Sequence, residues 1–330
     1  MTSSIRSNRT ALLTGLWVAL ATALIPTAVQ AQAFPVKPVR IVVTFPPGGG
    51  TDVVARLLGA ELTATLGQNV VVENRAGATG TIGTDFVAKS AADGYTLLMV
   101  NSTHAINASV FPKLPFDTVN DFVGVIAVAT VPAFVAVSPN FPAKNIAELI
   151  ALLKSNPSKY AYASCGSGSP QHLAAELFKV MTKTEMTHVP YKGCAPALAD
   201  VLGAQVPISF NTAANTVPHV TSGRLRAIAT TGKRRFPLAP DVPTMAEAGL
   251  TGYDVEQWFG LLAPAKTPRE IVQRLNGAVA EIVGRKAVQD RMSTLGFAPM
   301  TSTPEQFNDT VRADVERWGK LARSIGLKAD

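Results

Sequence analysis

The sequence has 330 residues, of which 47% are apolar and only 16% charged, with two cysteines and a formal net charge of +7. That composition excludes a disordered chain and a disulfide-built mini-scaffold, and the length predicts two domains, each able to bury a core. The positive balance suits an anionic ligand. The four histidines (His104, His172, His188 and His219) fall in no paired spacing that would hold zinc, so neither a metal nor a cofactor is expected.

At the N-terminus Arg6 and Arg9 precede an apolar run over residues 11–25, which Pro26 breaks and small residues follow up to Ala31 and Ala33. This three-part pattern predicts a signal peptide over residues 1–33, cut near Ala31 or Ala33. The run, about 15 residues, falls short of the ~20 that cross a bilayer. From residue 39 strand and helix signals alternate. A β-branched run over residues 39–45 ends in Pro46-Pro47-Gly48-Gly49-Gly50, and Thr51 and Asp52 are placed to cap a helix whose apolar Val53, Val54, Leu57, Leu58 and Leu62 fall at helical spacing, with Gly67 as its stop. Residues 70–74 form a second strand. The loop over residues 77–83 leads into a helix through Phe86 and Val87, and a third strand over residues 95–100 ends at Asn101-Ser102-Thr103. Such alternation predicts parallel, doubly wound α/β architecture.

The middle of the chain repeats the scheme. A strand over residues 133–137 is followed by the Asn145/Glu148 capping pair of a helix. A strand over residues 160–163 runs into Ser164-Cys165-Gly166-Ser167-Gly168-Ser169, where Ser169 and Pro170 mark a helix start. The run 188–191 reaches Lys192-Gly193-Cys194, with Pro196 opening a short helix; the strand over 207–210 ends at Asn211. Residues 225–230 and 257–264 read as strands. Thr267-Pro268-Arg269-Glu270 and Thr303-Pro304-Glu305-Gln306 are capping boxes for two amphipathic helices, one of which ends the chain.

Six loops at the strands' carboxyl ends (residues 46–51, 77–83, 101–103, 164–169, 192–195 and 211–214) consist largely of Gly, Pro, Ser, Thr and Asn. In doubly wound sheets these loops line the ligand crevice, and helix N-termini there offer free N–H groups to an anion. Neutral donors at several helix starts suit a carboxylate. Enzymatic motifs fail: residues 47–51 lack the Lys of a P-loop, Gly77, Gly80 and Gly83 miss the dinucleotide spacing, and Ser167 lacks the Gly-x-Ser-x-Gly frame. A hydrolase using Ser167 or Ser169 with His172 is the alternative, although no acid is placed to orient that histidine. Lys233-Arg234-Arg235 lacks aromatic interleaving and reads as a solvated loop, not a nucleic-acid patch. Four residues have two readings each: Trp258 as core or ligand wall, Lys192 as ligand partner or solvated lysine, Phe45 as pocket wall or strand end, and Asp52 as helix cap rather than contact for an anion.

Residues 38–43, the run Phe45-Pro46-Pro47-Gly48-Gly49-Gly50-Thr51-Asp52, Val72-Glu73-Asn74-Arg75-Ala76-Gly77, Ser90-Ala91-Ala92-Asp93-Gly94-Tyr95, Gly168-Ser169-Pro170-Gln171-His172-Leu173 and Val189-Pro190-Tyr191-Lys192-Gly193 resemble the Bug family, the TctC-like receptors of tripartite tricarboxylate transporters. The resemblance covers the chain after its leader. It implies a periplasmic-binding-protein type II-like fold: two doubly wound α/β domains, residues 34–130 with 256–330 and residues 131–255, with a ligand cleft and hinge between them. It implies a monomeric periplasmic receptor, not an enzyme, that hands a di- or tricarboxylate, aromatic carboxylate or acidic amino acid to membrane subunits. A sensor that docks on a signalling partner is the other non-enzymatic reading. The expected ligand contacts are Phe45, Pro47, Gly48, Gly49, Thr51, Thr79, Gly80, Thr81 and Ser102 from one domain. From the other come Ser164, Gly166, Ser167, Ser169, Tyr191, Lys192, Gly193 and Asn211.

Cys165 and Cys194 each follow an expected strand on the ligand side. The two strands are close in chain order, so neighbouring positions in the sheet would bring the cysteines into disulfide range, and an exported protein meets an oxidising compartment.

Overall fold

The computed structural model describes residues 34–327; the expected signal peptide and its cleavage point lie outside them. Among the described residues the order is β1 (Val39–Val43), α1 (Gly50–Leu66), β2 (Val70–Asn74), a 3-10 turn (Ala78–Gly80), α2 (Thr81–Ala88), β3 (Thr96–Asn101), α3 (Thr103–Val110), β4 (Phe122–Val137), α4 (Ile146–Ser155), β5 (Ala161–Ser164) and α5 (Pro170–Thr182). There follow β6 (Thr187–Pro190), α6 (Cys194–Leu202), β7 (Ile208–Thr212), α7 (Ala213–Thr221), β8 (Arg226–Thr230), β9 (Glu256–Pro264), α8 (Arg269–Gly284), α9 (Lys286–Thr294), β10 (Ala298–Pro299) and α10 (Pro304–Ser324).

Local chemistry sets most helix ends. On α1 the buried Val54, Leu58 and Leu62 recur every fourth residue, and Gly67 ends the helix at φ 66°, where a Cβ would be strained. Asn145 accepts the Glu148 N–H while the Glu148 carboxylate takes the Lys144 N–H. Ser169 accepts the His172 N–H ahead of Pro170, and Thr303 and Gln306 cap α10 reciprocally. Two expected caps differ. Gly49, not Thr51 or Asp52, is the N-cap of α1, because the helix already begins at Gly50. Thr267 turns its hydroxyl back onto the Pro264 carbonyl, 2.8 Å away, and Pro268 stands at the N-cap of α8.

The strand order is β2-β1-β3-β9-β4-β7-β5-β6, with β8 and β10 also pairing with β4. Strands β1, β2 and β3 are mutually parallel, as are β5, β6 and β7, but β9 runs antiparallel to β3 and β4, and β4 antiparallel to β7 and β8. The sheet is therefore mixed rather than parallel throughout. The cause is β9: it follows β8 without an intervening helix and inserts between β3 and β4, a placement that helix–strand alternation cannot reveal.

Register locates the two carboxyl edges. Asn101, the last residue of β3, pairs with Phe259, which pairs with Ala129 of β4; Thr212, the last residue of β7, pairs with Ala133. The two sets of parallel strands thus point their carboxyl ends at each other along one stretch of β4. Four residues separate the two levels, about 13 Å of strand.

Two apolar clusters flank this stretch. Val42, Leu98, Val100, Trp258, Leu262, Phe307 and Val311 form one; Val135, Val137, Tyr162, Phe178, Phe210, Trp318 and Leu321 belong to the other. Helix α10 contributes to both. Phe307 meets Trp258 edge-on at 5.2 Å and presses on Gly260, where a Cβ would come within 2.8 Å of the Ile126 carbonyl as well. Each fully buried Phe or Leu contributes roughly 1.5–3 kcal/mol by leaving water.

Candidate functional site

On the β1–β3 side, three of the expected loops are tied together by side chains. Thr51 accepts a hydrogen bond from Asn101 Nδ2 at 3.0 Å, and Asn101 Oδ1 takes the Thr103 N–H. Asn107 Nδ2 donates to the Thr79 carbonyl at 2.9 Å. Asp52, buried, receives the Gly48 N–H, Asn74 Nδ2 and Arg56 Nε. Burial alone would raise its pKa, but the bonds from Arg56, Gly48 and Asn74 outweigh it and hold the carboxyl below its ordinary range. Asp52 organises the Pro47-Gly48-Gly49 turn instead of capping α1 as expected.

The loop through Thr79 and Gly80 has positive φ from Gly77 to Gly80, and Gly80 approaches Thr44 and the Phe45 ring. Thr81 gives its hydroxyl to the Ala78 carbonyl, so that group is spent inside the loop. Helices α1, α2 and α3 start at Gly49, Gly80 and Ser102 without a side-chain cap. Ser102 Oγ is buried with no hydrogen-bond partner among the described residues.

On the β5–β7 side Cys165 and Cys194 form the expected disulfide, their Cα atoms 4.2 Å apart. The Gly193 N–H donates to the Cys165 carbonyl, and Asn211 Nδ2 reaches the Cys194 carbonyl at 2.8 Å. Asn211 Oδ1 is buried and, among the described residues, unpartnered. Helices α6 and α7 also lack side-chain caps, at Gly193 and Thr212. Elsewhere α4 and α10 are capped by side chains, whereas α8 and α9 are not.

The structure sorts the expected contacts. Pro47, Gly48, Gly49 and Thr79 are exposed at the edge, and Phe45, Gly166, Ser167, Ser169, Tyr191 and Gly193 are half-buried there. Ser169 accepts the His172 N–H, which leaves its own O–H to donate. The Tyr191 hydroxyl donates to Asp200 at 2.5 Å, and burial together with that carboxylate pushes its pKa up to about 12. Lys192 is exposed and, among the described residues, unpaired. Trp258 is core, its Nε1 donating to Asp314 at 2.7 Å. Lys233 and Arg235 pair with Asp254 and Glu247.

His172 Nδ1 accepts the Gly168 N–H, so it does not serve Ser167 or Ser169 as a base would. The sequence reading missed His188, whose Nε2 lies 2.6 Å from Ser164 Oγ. Its signal was the strand register, since β5 and β6 pair Tyr162 with His188. Two surface recesses, of about 240 and 280 Å³, lie toward the opposite end of β4, around Phe122, Val123 and Asn308, and contain none of the expected contacts. The strand-end loops remain the better candidate, because convergent donors rather than volume define a site for a small polar ligand.

The sequence matches the tripartite tricarboxylate transporter family receptor over residues 54–327. It is 39% identical over 323 residues to protein BugT of Bordetella pertussis, covering 97% of this chain and 99% of that one. The fold is similar to that of an R. palustris protein solved with adipate, at TM-score 0.80 and 37% identity over 89% of this chain and 99% of that one. It is also similar to MatC from Rhodopseudomonas palustris with bound malate, at TM-score 0.76 and 35% identity over 87% and 99%.

Proposed function

The chain belongs to the receptor family of the tripartite tricarboxylate transporters, whose members are solute-binding proteins, and from that premise we propose what it binds and where. It is an exported, periplasmic receptor that captures a small carboxylate between two lobes, residues 34–130 with 256–330 and residues 131–255, and delivers it to membrane subunits. One observation carries this reading. Four helix N-termini free of side-chain caps, those of α1, α2, α6 and α7, and that of α3, whose first N–H alone is taken by Asn101, gather at two carboxyl edges that face each other along residues 129–133 of β4.

Uncapped N–H groups and the positive ends of the helix dipoles favour an anion. The buried Ser102 Oγ adds a hydroxyl that has no partner among the described residues. The loops hold no Arg, so capture relies on N–H and hydroxyl donors rather than a guanidinium fork. Adipate and malate in two relatives point to an aliphatic dicarboxylate. Residues 129–133 of β4 and 256–259 of β9 are the segments about which the lobes would close.

Thermal unfolding against a carboxylate panel led by adipate and malate tests the reading. A ligand present at about 100 times its Kd stabilises the folded state by roughly 2.7 kcal/mol. A panel with no member that raises Tm would overturn carboxylate capture. For any acid that does bind, Ser169→Asp should keep the helix cap, because Asp caps as well as Ser, yet weaken affinity by about tenfold or more through repulsion.

A further inference from the structure

We infer that His172 and His188 are positioning residues for the loop over residues 164–169, a stacked pair of imidazoles that fixes two different points of it. The role in ligand capture rests on the function proposed above; the positioning itself does not.

The loop takes a path that needs holding. Gly166 and Gly168 have φ of 129° and 71°, and the Ser169 N–H closes a turn onto the Gly166 carbonyl. One end is fixed by Ser164, whose Oγ lies 2.6 Å from His188 Nε2 and also receives the Gly166 N–H at 3.2 Å. Ser164 Oγ also stands 3.3 Å from the Gly166 carbonyl, so whichever of Ser164 and His188 donates, the hydroxyl is engaged by its own loop and by the ring. This expected contact shapes the loop instead.

The other end is fixed by the Gly168 N–H, which donates to His172 Nδ1 at 3.1 Å. A backbone N–H only donates, so Nδ1 carries no proton and the ring is the neutral Nε2–H tautomer. The two rings lie face to face, centroids 3.8 Å apart and 8° from parallel, with Tyr162 stacked on His188 at 4.9 Å. Behind them Glu176 takes the Tyr162 O–H at 2.6 Å and Lys179 at 2.9 Å, and His172 Nε2 stands 3.8 Å from the same carboxylate. Burial, reinforced by the Lys179 charge, pulls the His172 pKa down to about 4, in keeping with a neutral ring. A proton on Nδ1 would set N–H against N–H and release Gly168.

Two measurements on the full chain test this. Ring-nitrogen NMR near neutral pH should give His172 an unprotonated Nδ1; an Nδ1–H tautomer or an imidazolium would overturn the inference without any variant. His172→Asn keeps an acceptor near the Nδ1 position, whereas His172→Gln moves it toward Nε2. Losing a hydrogen bond worth about 1.4 kcal/mol should speed Gly168 amide exchange roughly tenfold in the Gln variant, with much less change in the Asn variant. Equal exchange in the two variants refutes positioning. Unequal exchange in a protein that binds neither adipate nor malate would uphold positioning while failing to support the proposed ligand class.

Discussion

In the half of the sheet built on β1, β2 and β3, side chains hold the strand-end loops: Asn101 joins Thr51 to Thr103, Asn107 holds the Thr79 carbonyl, and Asp52 gathers Gly48, Asn74 and Arg56. In the half built on β5, β6 and β7 a disulfide joins two loops directly, and a histidine pair shapes one of them. The same task is met by two chemistries with different weaknesses. A polar network answers to the loss of any one member, because the partner left behind is buried and unsatisfied. A covalent link is indifferent to such losses but answers to reductant.

Acid should act on both halves and give the largest effect. His104, stacked with Phe116 and packed edge-on to Phe122, and His172 are both held neutral, with pKa lowered by burial from 6.5 to about 4. The folded pKa lies below the unfolded one, so the stabilisation is present above pH 6.5 and is lost as pH falls from there toward 4. The gap is worth up to roughly 3 kcal/mol per histidine. Glu256 and Asp314, raised by burial, oppose part of that loss at the acid end. Chemical denaturation at a series of pH values between 7 and about 4 reads the sum, and a flat profile would contradict two buried neutral rings.

Reduction should act on the second half alone. The bridged cysteines are 29 residues apart, and opening such a loop costs about 3–4 kcal/mol in the chain-entropy account. Protein exported through its own leader should yield no free thiol when denatured without reductant, and its Tm should fall on reduction. A Tm that ignores reductant would erase the contrast between the halves. Asn101→Ala should act on the first half, with a smaller loss of about 1–3 kcal/mol, since Thr51 Oγ1 and the Thr103 N–H each lose a partner. An unchanged denaturation midpoint for that variant would mean that the polar ties do not hold the first-half loops.

Several helix caps were legible because they are local, although those expected at Thr51 or Asp52 and at Thr267 were not formed. Asn145, Ser169, Thr303 and Gly67 act within one turn of their own position, so type and spacing sufficed. The pairing of Cys165 with Cys194 followed from neighbouring strands and compartment. Strand β4 was read only from residue 133, although it begins at Phe122; Gly124 and Pro132 interrupt its first part, and its register with β9 slips twice. Helices α3, α7 and α9 and strand β10 were missed: α3, at eight residues, and β10, at two, are short, α7 carries Pro218 inside it, and α9 buries only Val288 and Met292. Of the expected contacts, Ser164 bonds His188 and Tyr191 gives its hydroxyl to Asp200, partners that folding brings near, whereas Thr81 turns back onto Ala78 inside its own loop.

The place of β9 has a consequence for the order in which the protein can be made. Residues 256–264 lie between β3 and β4, and α10 supplies Phe307 to one core and Trp318 to the other, yet both come in the last quarter of the chain. Until they emerge, β3 and β4 have no neighbour to join them and neither core is closed, so a fragment ending before residue 256 should show no cooperative melting. A chain made in sequence order is thereby kept from locking its fold too early, because the strand that completes the sheet is among the last parts to arrive.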